Sequence, residues 1–301
     1  MADSKQTTHT FTLNTGAKIP AVGLGTWQSA PHEVTSAVKA ALEKGYRHID
    51  TAAAYGNEKD VGAGIKESGV PREQIWLTTK LDNHCHKHVE QSLKQSLENL
   101  GTDYLDLYLM HWPASVDWDD KKKIYSDWTF VDTWREMQKL LDTGKVKNIG
   151  VSNFTQANLE KLLNHPDTKV VPAVNQIELH PCNPSPKLVE YNTSKGIHST
   201  AYSCLGSTDS PLYKNKELLS IAESKGKTPQ QVLLLWNLQQ GRSVIPKSVT
   251  PSRIEANFQL DGWSLSDEEV SKISAIKDRF KVCDGTFLPD AAQPIFDGKD
   301  E

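Results

Sequence analysis

Four residues in the first 111 positions carry the groups that reduction of a carbonyl requires: Asp50, Tyr55, Lys80 and His111. A tyrosine can give a proton to a carbonyl oxygen when a nearby ammonium lowers its pKa from about 10. Tyr55 would be that acid and Lys80 the ammonium, kept charged by the Asp50 carboxylate. His111 would be a neutral hydrogen-bond donor that orients the oxygen, although a histidine before "WP" is also typical of a buried core position.

These side chains can act together only if the fold brings strand ends into one place. Short β-branched or apolar runs alternate with segments of helical period, and the runs cover residues 21–27, 48–53, 76–81, 105–112, 146–152, 172–179, 198–203 and 243–247. Repeated βα units indicate a parallel sheet. About eight units without a linker favour one α/β domain over residues 1–301, a closed (β/α)8 TIM barrel rather than an open doubly wound sheet.

The ends of the chain add two expectations to this barrel. The segment "TFTLNTGAKIP" has a turn at residues 14–16 between two short runs, which predicts a β-hairpin capping the bottom of the barrel. The tail after Val282, "CDGTFLPDAAQPIF", is expected to fold over the opposite, active face as a C-terminal loop.

In such a barrel the active site forms at the C-terminal ends of the strands. The polar residues at or near these ends are Asp50, Lys80, His111, Ser152, Asn153, Gln176, Tyr202, Ser203 and Lys247. Taken singly, each of them is more often a cap or a solvated loop residue. Taken together, they predict ionisable groups from several strands converging on one cavity.

Five ordered motifs resemble the signatures of the aldo-keto reductases: "GYRHIDTAAAYGNE" (45–58), "LYLMHWP" (107–113), "GVSNF" (150–154), "NQIELHP" (175–181) and "SVIPKSVTPSRI" (243–254). The resemblance spans roughly residues 12–258. It implies a (β/α)8 barrel that binds NAD(P)H without a Rossmann domain, and it makes Asp50, Tyr55, Lys80 and His111 the catalytic tetrad. "AYSCLGS" and "GKTPQQVLL" are similar to fungal members that act on small aldehydes and polyols.

The same resemblance implies a set of cofactor contacts, with NADPH as the cofactor. The residues implied for the nicotinamide are Ser152, Asn153, Gln176 and Tyr202, the last of them stacking on the ring. Thr26, Trp27 and Asp50 are further predicted cofactor contacts. The pyrophosphate loop would contain Ser203, Leu205, Ser207 and Asp209. The 2'-phosphate and adenine would lie against Lys247, Ser248, Arg253 and Asn257. Ala256 stands where many members have a glutamate, so one adenine contact differs from the common pattern.

The substrate pocket is predicted to be apolar and aromatic. Its lining would comprise Trp27, Ala54, Tyr55, Asp82, His111 and Trp112. Asp82 departs from the pattern, because many members have an aromatic residue two places after the catalytic lysine. It is either a carboxylate in the pocket wall or an exposed loop residue. As a pocket residue it would disfavour anionic substrates and favour sugar or polyol hydroxyls.

The stretch "LTTKLDNHCHKH" offers a competing metal-site interpretation through His84, Cys85, His86 and His88. Neighbouring residues on irregular backbone point in divergent directions, and structural zinc sites recruit a second ligand pair elsewhere in the sequence. No such pair is evident, so we expect no metal. A metal-dependent hydrolase would also need ligands at several strand ends, and only Asp50 and His111 come close.

Composition limits the remaining function classes. The formal net charge of −4 with interspersed charges leaves no basic face for nucleic acid, and no apolar stretch approaches the roughly 20 residues of a membrane span. "MADSKQTTHTF" lacks the apolar core of a signal peptide, and the four cysteines are widely spaced, so we expect a cytoplasmic protein with reduced thiols. The sequence leaves the oligomeric state open, and the family resemblance implies a monomer. Its partner would be a small aldehyde, with no obligate protein partner.

The alternative from another class is a regulatory barrel that binds cofactor with little turnover.

Overall fold

Eight parallel strands form the central sheet of the computed structural model, which describes residues 8–208 and 210–292. A two-stranded antiparallel hairpin, β1 (Thr10–Thr12) and β2 (Lys18–Pro20), precedes this sheet. The parallel strands are β3 (Leu24–Gly25), β4 (His48–Asp50), β5 (Trp76–Leu81), β6 (Leu107–Met110), β7 (Ile149–Ser152), β8 (Val174–Glu178), β9 (His198–Tyr202) and β10 (Ser243–Val244). Each strand pairs with the next one in sequence, in the order β3 to β10.

The sheet closes on itself where its first and last strands meet. Parallel bridges join Val22 to Val244 and Gly25 to Lys247, and the Gly23 N–H donates to the Val244 carbonyl at 2.8 Å. A sheet that has no free edge is a barrel, so the predicted (β/α)8 fold is confirmed.

Helices follow the strands and pack around the barrel. They are α1 (Pro31–Glu43), α2 (Glu58–Ser68), α3 (Val89–Leu100), α4 (Phe130–Lys139), α5 (Gln156–Leu163), α6 (Pro186–Ser194), α7 (Lys216–Lys225), α8 (Pro229–Leu238), α9 (Pro251–Phe258) and α10 (Asp267–Ser274). Their ends follow local chemistry. Thr228 and Gln231 form a capping box at the start of α8, and Gly101 ends α3 in the left-handed conformation. No helix in the described part of the chain is long and apolar enough to cross a membrane.

The hairpin lies across the bottom of the barrel, as predicted. Asn14 donates to the Pro172 carbonyl at 3.0 Å, and the Thr15 hydroxyl donates to the Asn148 side chain at 2.6 Å. Both partners precede strands, so the contacts are at the N-terminal ends of β7 and β8. Under the hairpin, Leu13 and Ile19 join the apolar cluster that fills the lower barrel. The hairpin therefore closes the end opposite the strand C-termini.

Several strands are shorter than the apolar runs that predicted them. Residues 105–112 yield only β6, Leu107–Met110, and residues 243–247 yield only β10, Ser243–Val244. At the mouth the predicted runs extend past the strands, so that His111 follows β6 and Lys247 contributes only an isolated bridge to Gly25. These are the positions at which side chains become available to a site.

Candidate active site

A buried ion pair lies at the C-terminal ends of β4 and β5. The Lys80 ammonium donates to Asp50 Oδ1 at 2.5 Å and to the Thr51 carbonyl at 2.9 Å, and neither side chain is more than 2% exposed. Its third donor contact is the Tyr55 hydroxyl at 3.3 Å. Tyr55 ends a short 3-10 helix, Ala53–Tyr55, that follows β4. Three of the four predicted catalytic residues are therefore in direct hydrogen-bond contact.

The charges of this cluster follow from its burial. Desolvation acts to lower the pKa of Lys80, but the Asp50 carboxylate and the Tyr55 hydroxyl outweigh it and raise that pKa, so Lys80 is a cation. Burial raises the pKa of Tyr55, while Lys80 acts to lower it. The net direction for Tyr55 differs from the lowering predicted from sequence, because desolvation is the larger effect. Tyr55 is therefore a protonated phenol held against an ammonium.

His111 lies one residue beyond β6 and faces Tyr55, with ring centroids 5.7 Å apart at 74°. Burial holds the pKa of His111 well below its usual range, and the neighbouring Lys80 cation acts in the same direction. The imidazole is therefore neutral at physiological pH. A neutral imidazole has one N–H to donate, and the donation to a carbonyl oxygen beside the Tyr55 hydroxyl stays a prediction.

A chain of polar residues extends from this cluster across the barrel mouth. Gln176 donates to Asp50 Oδ2 at 2.7 Å, and the Ser152 hydroxyl donates to the Gln176 carbonyl at 2.8 Å. Asn153 donates to the Ser152 hydroxyl at 3.2 Å and accepts from the Tyr202 hydroxyl at 2.7 Å. The residues predicted to hold the carboxamide of the nicotinamide are thus brought together with the ion pair.

Two further predicted residues lie beside this chain. The Thr26 hydroxyl is buried and donates to the Asp50 carbonyl at 3.0 Å. Trp27, the next residue, is 39% exposed. We call the buried Asp50–Lys80 pair the floor of the site. Thr26 therefore supports this floor, while the Trp27 ring is open to solvent.

The loop predicted to hold the pyrophosphate has unusual backbone geometry. Ser203, Gly206 and Ser207 have positive φ angles of 45°, 73° and 65°. Left-handed residues are found in the backbone turns whose N–H groups bind anions in other proteins. Leu205 accepts from the Tyr213 hydroxyl at 2.8 Å, which fixes the loop. Asp209 lies outside the described residues.

The predicted 2'-phosphate residues are separate from the buried cluster. Lys247 is exposed, and its ammonium donates to the Gln28 carbonyl at 3.4 Å. Arg253 is exposed in the first turn of α9, and no described carboxylate forms an ion pair with its guanidinium. Ser248 is buried and accepts from the Thr250 N–H at 3.2 Å. Asn257, also buried, lies one turn after Arg253.

The residues predicted to line the substrate pocket differ in exposure. Ala54 is exposed beside Tyr55, whereas Trp112 is only 5% exposed. Trp112 packs edge-to-face on Phe287 at 5.2 Å and clusters with Leu288 and Ala292. The C-terminal segment therefore covers this side of the mouth, as predicted. Its last residues, 293–301, lie outside the described residues.

Asp82 has a structural function that the sequence did not suggest. Its carboxylate accepts from the Asn83 N–H at 2.6 Å and caps a 3-10 helix, Asn83–Cys85. The other oxygen lies 3.3 Å from His84 Nδ1, and the side chain is 21% exposed. The carboxylate is thus directed partly into its own loop, and its effect on substrate stays a prediction.

The side chains of the histidine-rich segment, residues 84–88, contact different partners. His86 is buried, with Nδ1 2.8 Å from the Ser115 hydroxyl, while His84 and His88 pack against Trp118. Burial raises the pKa of the Cys85 thiol to about 11, so it is not a ready thiolate ligand. In residues 8–208 and 210–292 no group of three or more His, Cys, Asp or Glu residues is arranged to hold a metal ion.

Sequence reasoning missed two residues that shape the site. Asn57 donates to the Thr26 and Ser29 carbonyls at 3.0 and 3.2 Å and so holds the β3–α1 loop against the floor. Glu178, buried at the end of β8, contacts the C-terminal segment. Both lie inside motifs that carried the family resemblance, but nothing in their spacing indicated a partner in a distant loop.

Comparison with known proteins agrees with the family resemblance of the five sequence motifs. A model described as the aldo/keto reductase family matches residues 21–278. The chain is 46% identical to the glycerol 2-dehydrogenase (NADP(+)) of Saccharomyces cerevisiae, covering 94% of this chain and 96% of that protein. It is also 46% identical to a D-galacturonate reductase of Hypocrea jecorina, covering 88% and 89%. An aldose reductase structure from Schistosoma japonicum superposes with a TM-score of 0.88 at 39% identity, covering 93% and 96%.

Proposed function

Because the chain belongs to the aldo/keto reductase family, and is an oxidoreductase of aldehyde and alcohol groups, we propose that it uses NADPH to reduce small aldehydes. Candidate substrates are glyceraldehyde and aldoses. The observation that carries the proposal is the contact of the Tyr55 hydroxyl with the buried Lys80–Asp50 pair. A phenol held against a buried ammonium, beside a neutral imidazole, is an arrangement for giving a proton to a carbonyl oxygen.

The residues present fit a dinucleotide phosphate. The left-handed loop at Ser203 and Ser207 offers backbone donors for the pyrophosphate, and Lys247 and Arg253 offer exposed cations for a 2'-phosphate. Ser152, Asn153 and Gln176 supply amide and hydroxyl groups for the carboxamide, with the Tyr202 ring beside them. When bound, the reduced nicotinamide supplies the hydride for the carbonyl carbon.

The chain's own residues handle the proton. Tyr55 donates its phenolic proton to the carbonyl oxygen, and the oxygen becomes the alcohol hydroxyl. The tyrosinate that remains is stabilised by the Lys80 ammonium at 3.3 Å, which Asp50 keeps charged. His111, held neutral by burial, donates to the same oxygen and does not repel Lys80 with a second positive charge.

The alternative function is a regulatory barrel that holds cofactor with little turnover. Such a protein has no need of a buried and fully hydrogen-bonded ion pair against a tyrosine. Burying a charged pair is costly, so its presence favours catalysis. The 46% identity to both a glycerol dehydrogenase and a uronate reductase supports an oxidoreductase and leaves several small polyhydroxylated substrates to test.

Steady-state oxidation of NADPH by the purified protein tests the proposal. The aldehydes would be glyceraldehyde, a pentose, glucuronate and an aryl aldehyde, with glycerol and NADP+ as the reverse reaction. We expect turnover with at least one aldehyde and a higher kcat/KM for glyceraldehyde than for glucuronate. Tight NADPH binding without turnover on any of these aldehydes would favour the regulatory barrel.

A further inference from the structure

A buried carboxylate connects the barrel to the C-terminal segment. Glu178 is the last residue of β8 and is 2% exposed. Its Oε1 accepts from the Val282 N–H at 2.7 Å, and its Oε2 accepts from the Cys283 N–H at 2.8 Å. His180 Nε2 lies 2.8 Å from Oε1. Both carboxylate oxygens are therefore engaged, and two of their partners belong to a segment more than 100 positions away.

We define the strap as residues 282–292, which begin at this carboxylate. The Cys283 thiol lies beside the hydroxyl of Tyr202, a residue at the edge of the polar chain. At its other end the strap packs Leu288 and Ala292 on the Trp112 cluster. The strap thus runs from the Tyr202 side of the mouth to the Trp112 side, with an anchor at each end.

Between the anchors most of the strap side chains are exposed to solvent. Asp284 and Thr286 are exposed, and Phe287 is 66% exposed although its ring contacts Trp112. The backbone bonds within the strap are local, such as that from Leu288 to Gly285. Exposed side chains on irregular backbone are features of a segment that opens easily. The carboxylate bonds at its start are therefore expected to decide where the strap lies.

We propose, on the basis of the proposed function, that Glu178 is a positioning residue that selects substrates by holding the strap over the carbonyl site. An aldehyde with a bulky apolar group would extend from Tyr55 toward Phe287 and Trp112 and would depend on the strap. A small aldehyde such as glyceraldehyde would be held mainly at the floor. Glu178 would then influence the KM of bulky aldehydes without taking part in the chemical step.

The variant that tests this is Glu178→Gln, with Glu58→Gln as its matched control. Glutamine keeps the size of the side chain but has an NH2 group in place of one carboxylate oxygen, so it cannot accept from both backbone N–H groups, which point at different oxygens. Glu58 is also a buried carboxylate, 4% exposed, that accepts from Thr79 at 2.7 Å and Asn99 at 3.2 Å. Neither of these partners belongs to the strap, so the control separates a buried-charge effect from a strap effect.

Hydrogen exchange by NMR provides a measurement that needs no turnover. In the wild type we expect the Val282 and Cys283 amides to exchange more slowly than the Leu288 amide, since they bond to a buried carboxylate. Glu178→Gln should speed their exchange at least about tenfold, because a hydrogen bond to a charged group is lost. Glu58→Gln should leave both rates unchanged. Fast exchange of both amides in the wild type would overturn the proposal even if Glu178→Gln did not fold.

Kinetics with two aldehydes provide the functional measurement. For 4-nitrobenzaldehyde, Glu178→Gln should raise KM about tenfold and keep kcat within about twofold, the pattern of lost uniform binding. The KM for glyceraldehyde should stay within about twofold of wild type. Equal rises in KM for both aldehydes, or a fall in kcat alone, would show that Glu178 acts through its neighbour Gln176 and overturn the proposal. Absence of wild-type turnover would contradict the proposed function, while the exchange result would still test the strap anchor.

Discussion

The floor of the site, formed by Asp50 and Lys80, and the proposed phosphate side, formed by Lys247 and Arg253, are built in opposite ways. At the floor, Asp50 and Lys80 are almost fully buried, and every hydrogen-bonding atom of the pair has a partner within the protein. On the phosphate side, Lys247 and Arg253 are exposed, and the bond from Lys247 to Gln28 is long at 3.4 Å. One region is complete without any ligand, whereas the other offers charges that a ligand can neutralise.

This difference follows from what each region must do. Groups that act in the chemical step work best when already oriented in a dry environment, because no reorganisation is then needed during the reaction. Groups that bind a phosphate gain most when their charge is not already neutralised by a protein carboxylate. The comparison predicts that changes at the floor reduce kcat, and that changes on the phosphate side alter cofactor KM.

The largest effect is expected from Lys80→Met. The substitution leaves Asp50 buried without its cation, a change that costs about 3–5 kcal/mol in other proteins. Tyr55 also loses the charge that stabilises its tyrosinate, so kcat should fall by roughly 10²–10⁴-fold. Urea unfolding and steady-state kinetics would measure the two effects.

The double variant Asp50→Asn/Lys80→Met serves as the control for that result. Removing both charges should recover a large part of the lost stability, since no unpaired ion stays buried. Activity should not recover, because the ammonium beside Tyr55 is still absent. Recovery of kcat together with stability would mean that the floor acts only as a scaffold, and the contrast between the two regions would be lost.

An intermediate effect is expected from Arg253→Ala. The loss of charge-assisted hydrogen bonds worth about 1.5–3 kcal/mol should raise the KM for NADPH roughly 10- to 150-fold. The KM for NADH and kcat should change little. Lys145→Ala, which removes an exposed cation just before β7 at the bottom of the barrel, is the matched control. A cofactor preference that survives in Arg253→Ala would contradict the assignment of this side to the 2'-phosphate.

The smallest effect is expected from Asp82→Asn at the rim. Asparagine can still cap the Asn83 N–H, so the fold should be retained. If the carboxylate faces the pocket, removing about 1 kcal/mol of repulsion should improve kcat/KM for glucuronate by a few-fold. The value for glyceraldehyde should not rise. An unchanged ratio of glucuronate to glyceraldehyde would assign Asp82 to capping alone.

The residues at the floor could be predicted because their positions follow from strand periodicity. Asp50 ends β4 and Lys80 is the penultimate residue of β5, so a parallel barrel brings both to the same end. Tyr55 lies in the turn after β4 and not on a strand, so it was proposed from its acid–base chemistry, and the family resemblance implied the same role. The barrel was predicted from the same periodicity, and the hairpin was predicted from the turn at residues 14–16.

What could not be predicted depends on contacts between distant irregular segments. Glu178 stands in the quoted motif "NQIELHP", but its partners are backbone N–H groups in a loop that has no periodicity. The net raising of the Tyr55 pKa required the actual burial of the phenol, which outweighs the Lys80 charge. The capping function of Asp82 required the backbone path after β5. Sequence pattern indicates which segments form strands and leaves the paths of loops open.

The account rests most directly on Tyr55 as the proton donor, and Tyr55→Phe tests it. The phenyl ring preserves the packing against His111 at 5.7 Å and removes only the hydroxyl. Comparing kcat/KM for glyceraldehyde with NADPH affinity, measured by fluorescence titration, separates chemistry from binding. We predict a loss of roughly 10²–10⁴-fold in kcat/KM with NADPH affinity within about twofold of wild type. Reduction of glyceraldehyde at a near wild-type rate by Tyr55→Phe would contradict the mechanism.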